Sequence, residues 1–241
     1  MENIRAVIFD MDGVLIDAKD WHYDALNRAL NLFGFGISRY DHLVTYDGLP
    51  TKQKLEMLSL EKGLPRALHA FINELKQKYT LELVHARCNP VFHHEYALSR
   101  LKALGYKLAV ASNSVRDSVM TMLSKANLLQ YFDVVLSNQD VVKSKPHPEI
   151  YLTAAASLGF QPRQCLVVED NENGIQAAKA ADANLFVVQT PQDVTFSNIM
   201  EALTRRTESG GGGDINENPL PHGRRKSGFF RSWVFLSQKS R

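Results

Sequence analysis

The segment Ala6-Val7-Ile8-Phe9-Asp10-Met11-Asp12-Gly13 constrains the fold and chemistry of this chain more than any other. An unbroken apolar run, Ala6 to Phe9, reads as a strand buried on both faces, as inside a parallel sheet. It ends on two carboxylates one residue apart, followed at once by a glycine. Burying one ionised carboxylate is costly, and two like charges close together cost more. A divalent cation between them removes most of that cost. Asp-x-Asp-Gly at a strand's carboxyl end therefore points to Mg2+ held at Asp10 and Asp12.

The second half of the chain alternates strand-like and helix-like segments. Strands are predicted at Lys107 to Ala111, Phe132 to Leu136, Cys165 to Val168 and Leu185 to Val188. Helices are predicted between them at Val115 to Ala126, His147 to Leu158 and Gly174 to Ala181. This order implies right-handed crossovers and an α/β fold, a Rossmann-like parallel sheet with helices on both faces. The first strand joins the same sheet. Residues between it and the others show no strand period. Trp21, Ala25, Leu26, Ala29, Leu30 and Phe33 share one helical face, a second helix begins after Leu49-Pro50, and a longer one runs from about Arg66 to Leu83. The expected division is a core of residues 1–17 and 86–204, an inserted helical-bundle cap over 18–85, and a flexible tail over 205–241.

Ligands of open parallel sheets bind beyond the carboxyl ends of the strands. Those ends deliver Asp10 and Asp12, then Ser112-Asn113-Ser114, then Glu169-Asp170-Asn171, with Lys143-Ser144-Lys145-Pro146 ahead of the helix after the third strand. Paired acids suit a hard cation, whereas hydroxyls, helix-opening N–H groups and a lysine suit a phosphate. Taken singly, Asp10 reads as a loop cap, Ser112-Asn113-Ser114 and Glu169-Asp170-Asn171 as helix N-caps and Lys145 as a surface charge. Taken together on one rim, they read as a phosphate-transfer site.

Four segments carry a specific resemblance: Asp10-Met11-Asp12-Gly13-Val14, Ala111-Ser112-Asn113-Ser114, Lys145-Pro146-His147-Pro148-Glu149 and Val168-Glu169-Asp170-Asn171-Glu172-Asn173-Gly174. In this order the chain resembles the haloacid dehalogenase superfamily, in the helical-cap subgroup that includes β-phosphoglucomutase and sugar-phosphate phosphatases. The resemblance implies that Asp10 is a nucleophile taking the phosphoryl group as an aspartyl-phosphate. It further implies that Asp12 protonates the leaving oxygen and then activates water, with its backbone carbonyl on Mg2+. Ser112 would hold a phosphate oxygen, Lys145 would neutralise charge, and Glu169 and Asp170 would complete the metal site. A physical need stands behind these roles. At ~4 Å and an effective dielectric of about 20, one pair of like charges repels by about 4 kcal/mol, which Mg2+ and Lys145 would offset. Asp12 must hold a proton when the alcohol departs, so its pKa is expected above that of Asp10.

Substrate contacts are expected from Asn113, from Thr51 and Lys52 after the Gly48-Leu49-Pro50 loop, and from Arg116. Lys54 reads as a surface charge, and His93-His94-Glu95, adjacent on a helix, as no metal site. Thr51-Lys52 stands where the resemblance calls for a cap arginine, and Val115 where it calls for a lysine. Arg-to-Lys at a phosphate clamp loses bidentate geometry, which favours a phosphomonoesterase over a phosphosugar mutase. A non-catalytic binding module is disfavoured because Asp10 and Asp12 are both present.

A hydrophobic content of 44% and a charged content of 22% fit an ordinary globular protein. No membrane-length apolar run or secretory signal is read, and Cys88 and Cys165 lack metal-ligand spacing, so a cytoplasmic chain with reduced thiols is expected. From Arg205 onward there are eight Lys/Arg against three Asp/Glu, which leaves the preceding 204 residues at −3 within a total of +2. The folded part is thus mildly acidic, and its sequence gives no reason to invoke nucleic acid. A small phosphorylated molecule is the expected partner, with the chain working as a monomer or homodimer.

Overall fold

The computed structural model describes residues 3–46 and 48–208, the last four of these by backbone alone. The tail expected over 205–241 therefore lies almost wholly outside the described residues. Five parallel strands form one sheet in the order β3-β2-β1-β4-β5. They are β1 (Ala6–Phe9), β2 (Lys107–Ala111), β3 (Val134–Leu136), β4 (Cys165–Glu169) and β5 (Asn184–Val187). β1 lies at the centre, with Phe9 level with Val110 of β2 and Val168 of β4. The chain builds outward from β1 on one side, then crosses to the other. Neighbouring loops therefore diverge beyond the end of β1, where Asp10 leaves the sheet.

The helices are α1 (Lys19–Asn31), the short α2 (Arg39–Asp41), α3 (Thr51–Lys62), α4 (His69–Arg87), α5 (Phe92–Ala103), α6 (Arg116–Lys125), α7 (Glu149–Ser157), α8 (Glu172–Ala180) and α9 (Phe196–Glu208). Val7 and Phe9 pack in an apolar layer with α5, α6 and α9, while Ala6 and Ile8 pack in another with α7 and α8. Because strand side chains alternate, this parity also sets the direction of the residues at the strand ends. Asp10 continues the Ala6–Ile8 series, and Glu169 continues Cys165–Val167, so both carboxylates face α7.

Helices α1, α3 and α4, with the turn at Tyr46, share a separate apolar cluster, centred on Leu26, Leu30, Tyr46, Leu55, Leu58 and Ile72. The division between the two clusters falls inside α4, since Val84 and Cys88 already belong to the sheet's layer. Two elements go beyond the sequence expectation. Residues 39–46 form α2 and a π-turn, and α9 closes the α5 face through Ile199, Ala202 and Leu203. Cys88 and Cys165 are buried free thiols. No described helix is long and apolar enough to cross a membrane.

Candidate active site

A cleft of about 200 Å3 lies beyond the end of β1, between the strand-end loops and the α1–α4 bundle. On its floor Lys145, only 3% exposed, donates to Asp10 Oδ1 and Glu169 Oε1, each at 2.6 Å. Burial alone would push the ammonium towards losing its proton, but Asp10 and Glu169 outweigh it and hold Lys145 above its ordinary range. Tyr151 of α7 donates to the same Glu169 oxygen at 2.6 Å, and its ring lies 4.8 Å from the Lys145 ammonium. The other Glu169 oxygen accepts the Asp170 and Asn171 N–H groups at 2.9 and 3.2 Å. Glu169 is thus engaged on both oxygens, and its first effect is to aim Lys145 at Asp10.

Ligand oxygens of Asp10, Glu169 and Asp170 lie within 4.8 Å of one another. Burial, followed by the neighbouring carboxylates, holds Asp10 well above the usual carboxylate range despite the opposing pull of Lys145. Crowded hard oxygen donors with this unfavourable charge fit a small divalent cation. Lys19, at the start of α1, supplies positive charge to this cluster, with Nζ 2.6 Å from Asp170 Oδ2. Sequence reasoning gives no signal for Lys19. Gly13 makes the approach possible, since a Cβ there would lie 2.1 Å from Asp170 Oδ2 and 2.6 Å from Lys19 Cε.

The Asp12 side chain departs from the expected cation cluster. It turns towards the cap, where Oδ1 meets His22 Nε2 at 3.0 Å and Oδ2 accepts from Ser114 Oγ at 2.7 Å. His22 Nδ1 lies 3.2 Å from Lys76 Nζ. An ammonium only donates, so Nδ1 accepts and the ring proton sits on Nε2, facing Asp12. Burial, then Lys76, holds His22 below its ordinary pKa, consistent with a neutral ring. Burial works against ionised Asp12, but His22, Ser114 and Lys76 outweigh it and lower its pKa. The two aspartates thus shift in opposite directions, Asp10 upward and Asp12 downward. Asp10 stands among carboxylates, whereas Asp12 stands among donors.

Other expected contacts divide. Asn113, Thr51 and Lys52 line the cleft. Asn113 also joins three segments: its Oδ1 accepts the Lys145 N–H, and its Nδ2 donates to the Lys145 and Gly48 carbonyls. Ser112 is buried, its Oγ accepts the Ser114 N–H, and Asn113 and Ser114 line the cleft in its place. Arg116 is not brought to the cleft. It opens α6 and pairs with Asp140 on the surface. Asp17 is exposed and gives α1 no side-chain N-cap. Lys54, expected to be a surface charge, is buried in the cleft wall. His93 and His94 both face the Pro191 carbonyl.

The same arrangement of strand ends can be set beside known proteins. The sequence pattern of the family described as haloacid dehalogenase-like hydrolase matches residues 7–188. The chain belongs to this family. A phosphorylated carbohydrates phosphatase of Thermotoga maritima is 32% identical over 181 residues, 74% of this chain and 82% of that protein. A phosphoglycolate phosphatase of Salmonella typhi is 30% identical over 200 residues, 75% of this chain and 79% of that protein. Among solved structures, β-phosphoglucomutase from Clostridium difficile shares the fold with a TM-score of 0.75 at 23% identity, covering 86% of this chain and all of that one. This family member is an enzyme of the phosphatase class.

Proposed function

We propose that the chain hydrolyses a small phosphomonoester, with a sugar phosphate as the reference substrate, in two steps through an aspartyl-phosphate on Asp10. The observation that carries this reading is the buried Lys145 held 2.6 Å from Asp10 Oδ1 by Glu169. A nucleophilic carboxylate approaching a phosphate dianion needs a fixed cation at this place. Asp10 and Asp170 would hold Mg2+, with Glu169 beside them and the Asp12 backbone carbonyl contributing as the family resemblance implies. Bound there, Mg2+ supplies positive charge that keeps Asp10 ionised and offsets the charge of the phosphate.

In the first step an Asp10 oxygen bonds to phosphorus, the ester P–O bond breaks, and the departing alkoxide takes a proton from Asp12. In the second, Asp12 removes a proton from water, the water oxygen bonds to phosphorus, and the aspartyl P–O bond breaks to return Asp10 and inorganic phosphate. The low pKa of Asp12 suits the second step. A phosphate dianion beside Asp12 raises that pKa by like-charge repulsion, which favours the proton needed for the first. Asn113, Thr51 and Lys52 line the path to the phosphate. Residues 18–85 act as a cap on a catalytic core of residues 1–17 and 86–204, excluding water until the alcohol has left.

Turnover of 4-nitrophenyl phosphate with and without Mg2+ tests the reading. Asp10→Asn should lower kcat by at least ~10^3, about 4 kcal/mol of barrier, with its circular dichroism unchanged. Near-normal turnover by the folded variant removes Asp10 from its role. A panel containing β-glucose 1-phosphate with a bisphosphate activator separates hydrolysis from phosphoryl return to a sugar.

A further inference from the structure

Beneath the cleft, the Glu169 carboxylate has its acceptor positions filled. A carboxylate offers about two lone pairs on each oxygen. Oε2 takes the Asp170 and Asn171 N–H groups, and Oε1 takes Lys145 and Tyr151, both at 2.6 Å. Of these donors, Tyr151 is the one that the reaction as described does not use. It stands in the first turn of α7, fully buried, in the apolar layer that holds Ala6 and Ile8. A phenylalanine would fill almost the same space with no buried hydroxyl to satisfy, so packing alone does not account for a tyrosine here.

We propose that Tyr151 is a positioning residue for Lys145: its hydroxyl takes one lone pair of Glu169 Oε1, so that the ammonium gives Glu169 a single N–H and keeps another on Asp10. The assignment rests on the hydrolase reading for what Lys145 then does to a phosphate. An ammonium is a point charge with three donors on a flexible stem, so nothing in lysine itself chooses between two carboxylates. Glu169 is the more deeply buried of the two, 1% exposed against 8% for Asp10, and would win an open competition. Two backbone N–H groups close its Oε2 and Tyr151 half-fills its Oε1, which leaves Lys145 shared, 2.6 Å from each acid. The third ammonium N–H remains for a phosphate oxygen, since Lys145 borders the cleft. The Tyr151 ring bounds the other side of the ammonium, with its centroid 4.8 Å from Nζ, within reach of a cation–π contact. Burial, followed by Glu169 and Asp10, holds the phenol well above its ordinary range, so the hydroxyl keeps its proton and stays a donor. The Tyr151 N–H also donates to the Pro148 carbonyl at 3.0 Å, which fixes the tyrosine against the loop that carries the lysine.

Tyr151→Phe deletes the hydroxyl and keeps the ring, and two measurements on the full chain in Mg2+ read its effect. The first is a nitrogen NMR spectrum of isotope-labelled lysine side chains, with the Lys145 signal identified by its loss in Lys145→Arg. Tyr151→Phe should displace that signal by more than its linewidth, because an N–H turns from Asp10 towards Glu169. The second is turnover of 4-nitrophenyl phosphate, where kcat should fall about tenfold while KM stays within twofold, since the lysine is present but misdirected. Circular dichroism should match wild type. An unmoved Lys145 signal in the folded variant overturns the proposal whatever the turnover. Where wild type is active, a kcat within twofold, or a loss carried by KM, overturns it as well. Should Tyr151→Phe not fold, Tyr151→Met is read by the same division between kcat and KM. If the signal moves while wild-type protein hydrolyses no phosphomonoester in a panel, the control of Lys145 by Tyr151 stands and the hydrolase reading falls.

Discussion

At the scale of single residues, the cleft concentrates charge that folding alone does not favour. Lys76 is the plainest case. Its pKa falls from 10.5 to about 8, because burial and Lys54 both disfavour the ammonium. The unfolded chain keeps this proton up to about 10.5, whereas the folded chain releases it near 8. Between those values the unfolded state binds more protons, so this group's contribution to stability rises with pH across that window. Below pH 8 the full cost is present, of order 3 kcal/mol for a shift of this size. Removing the charge also removes the contact to His22, worth about 1 kcal/mol. Lys76→Met should therefore be more stable than wild type at pH 7 by about 2 kcal/mol in urea unfolding, with the gap closing towards pH 10. A variant that is less stable at pH 7, or a gap that widens with pH, contradicts this account. Retaining such a residue is understandable only if the cleft uses its charge.

At the scale of elements, the candidate site is a consequence of strand parity and close packing at strand ends. Glu169 ends β4 and folds its carboxylate back towards the first turn of α8, accepting the Asp170 and Asn171 N–H groups that lead into that helix. Gly174 in that turn leaves the necessary room, since a Cβ would stand 1.6 Å from Glu169 Oε1. Gly174→Ala must displace the carboxylate that aims Lys145, at a cost of about 3 kcal/mol by overpacking and lost hydrogen bonds. Urea unfolding should register that loss together with a fall in kcat, and a change under 1 kcal/mol would refute the tight approach. The same packing separates residues legible in the sequence from those that are not. Strands β1, β2 and β4 are continuous apolar runs, and their ends carry Asp10, Ser112 and Glu169, so the core of the site is written locally in sequence. Lys19, Lys54 and Lys76 are not, because a lysine on an amphipathic helix normally marks the solvated face. Only the packing of α1, α3 and α4 against one another and over the sheet turns them inward. Arg116 fails in the opposite sense, since the nearby Asp140 holds it at the surface. The π-turn escapes a reading by periodicity because five residues offer too few periodic positions to stand out. By contrast α9, as long as α1, carries Ile199, Ala202 and Leu203 on one face and is legible in the sequence.

At the scale of the molecule, the two apolar layers of the sheet and the separate cluster of the bundle meet at a cleft with an acidic floor and a basic roof. The inserted bundle completes its own cluster through Leu26, Leu30, Leu58 and Ile72, while α4 runs on into the sheet's apolar layer through Val84. Asn113 bridges Gly48 of the inserted bundle and Lys145, which couples the bundle to the loop carrying the buried lysine. Everything the cleft uses lies at or before Gly174, and the buried layer beneath the sheet is closed by Ile199, Ala202 and Leu203 of α9. Removing residues after 208 deletes none of these contacts and takes six Lys/Arg and two Asp/Glu from the chain, lowering its formal charge from +2 to −2. For a two-state core of this size, a loss of 1 kcal/mol lowers Tm by roughly 2–4 °C. The shortened chain should therefore unfold within about 2 °C of the full chain and keep its kcat on 4-nitrophenyl phosphate within about twofold. A larger drop in Tm would mean that the basic segment packs on the core. A fall in kcat at unchanged Tm would mean that it reaches the cleft, where its arginines would add to the positive wall.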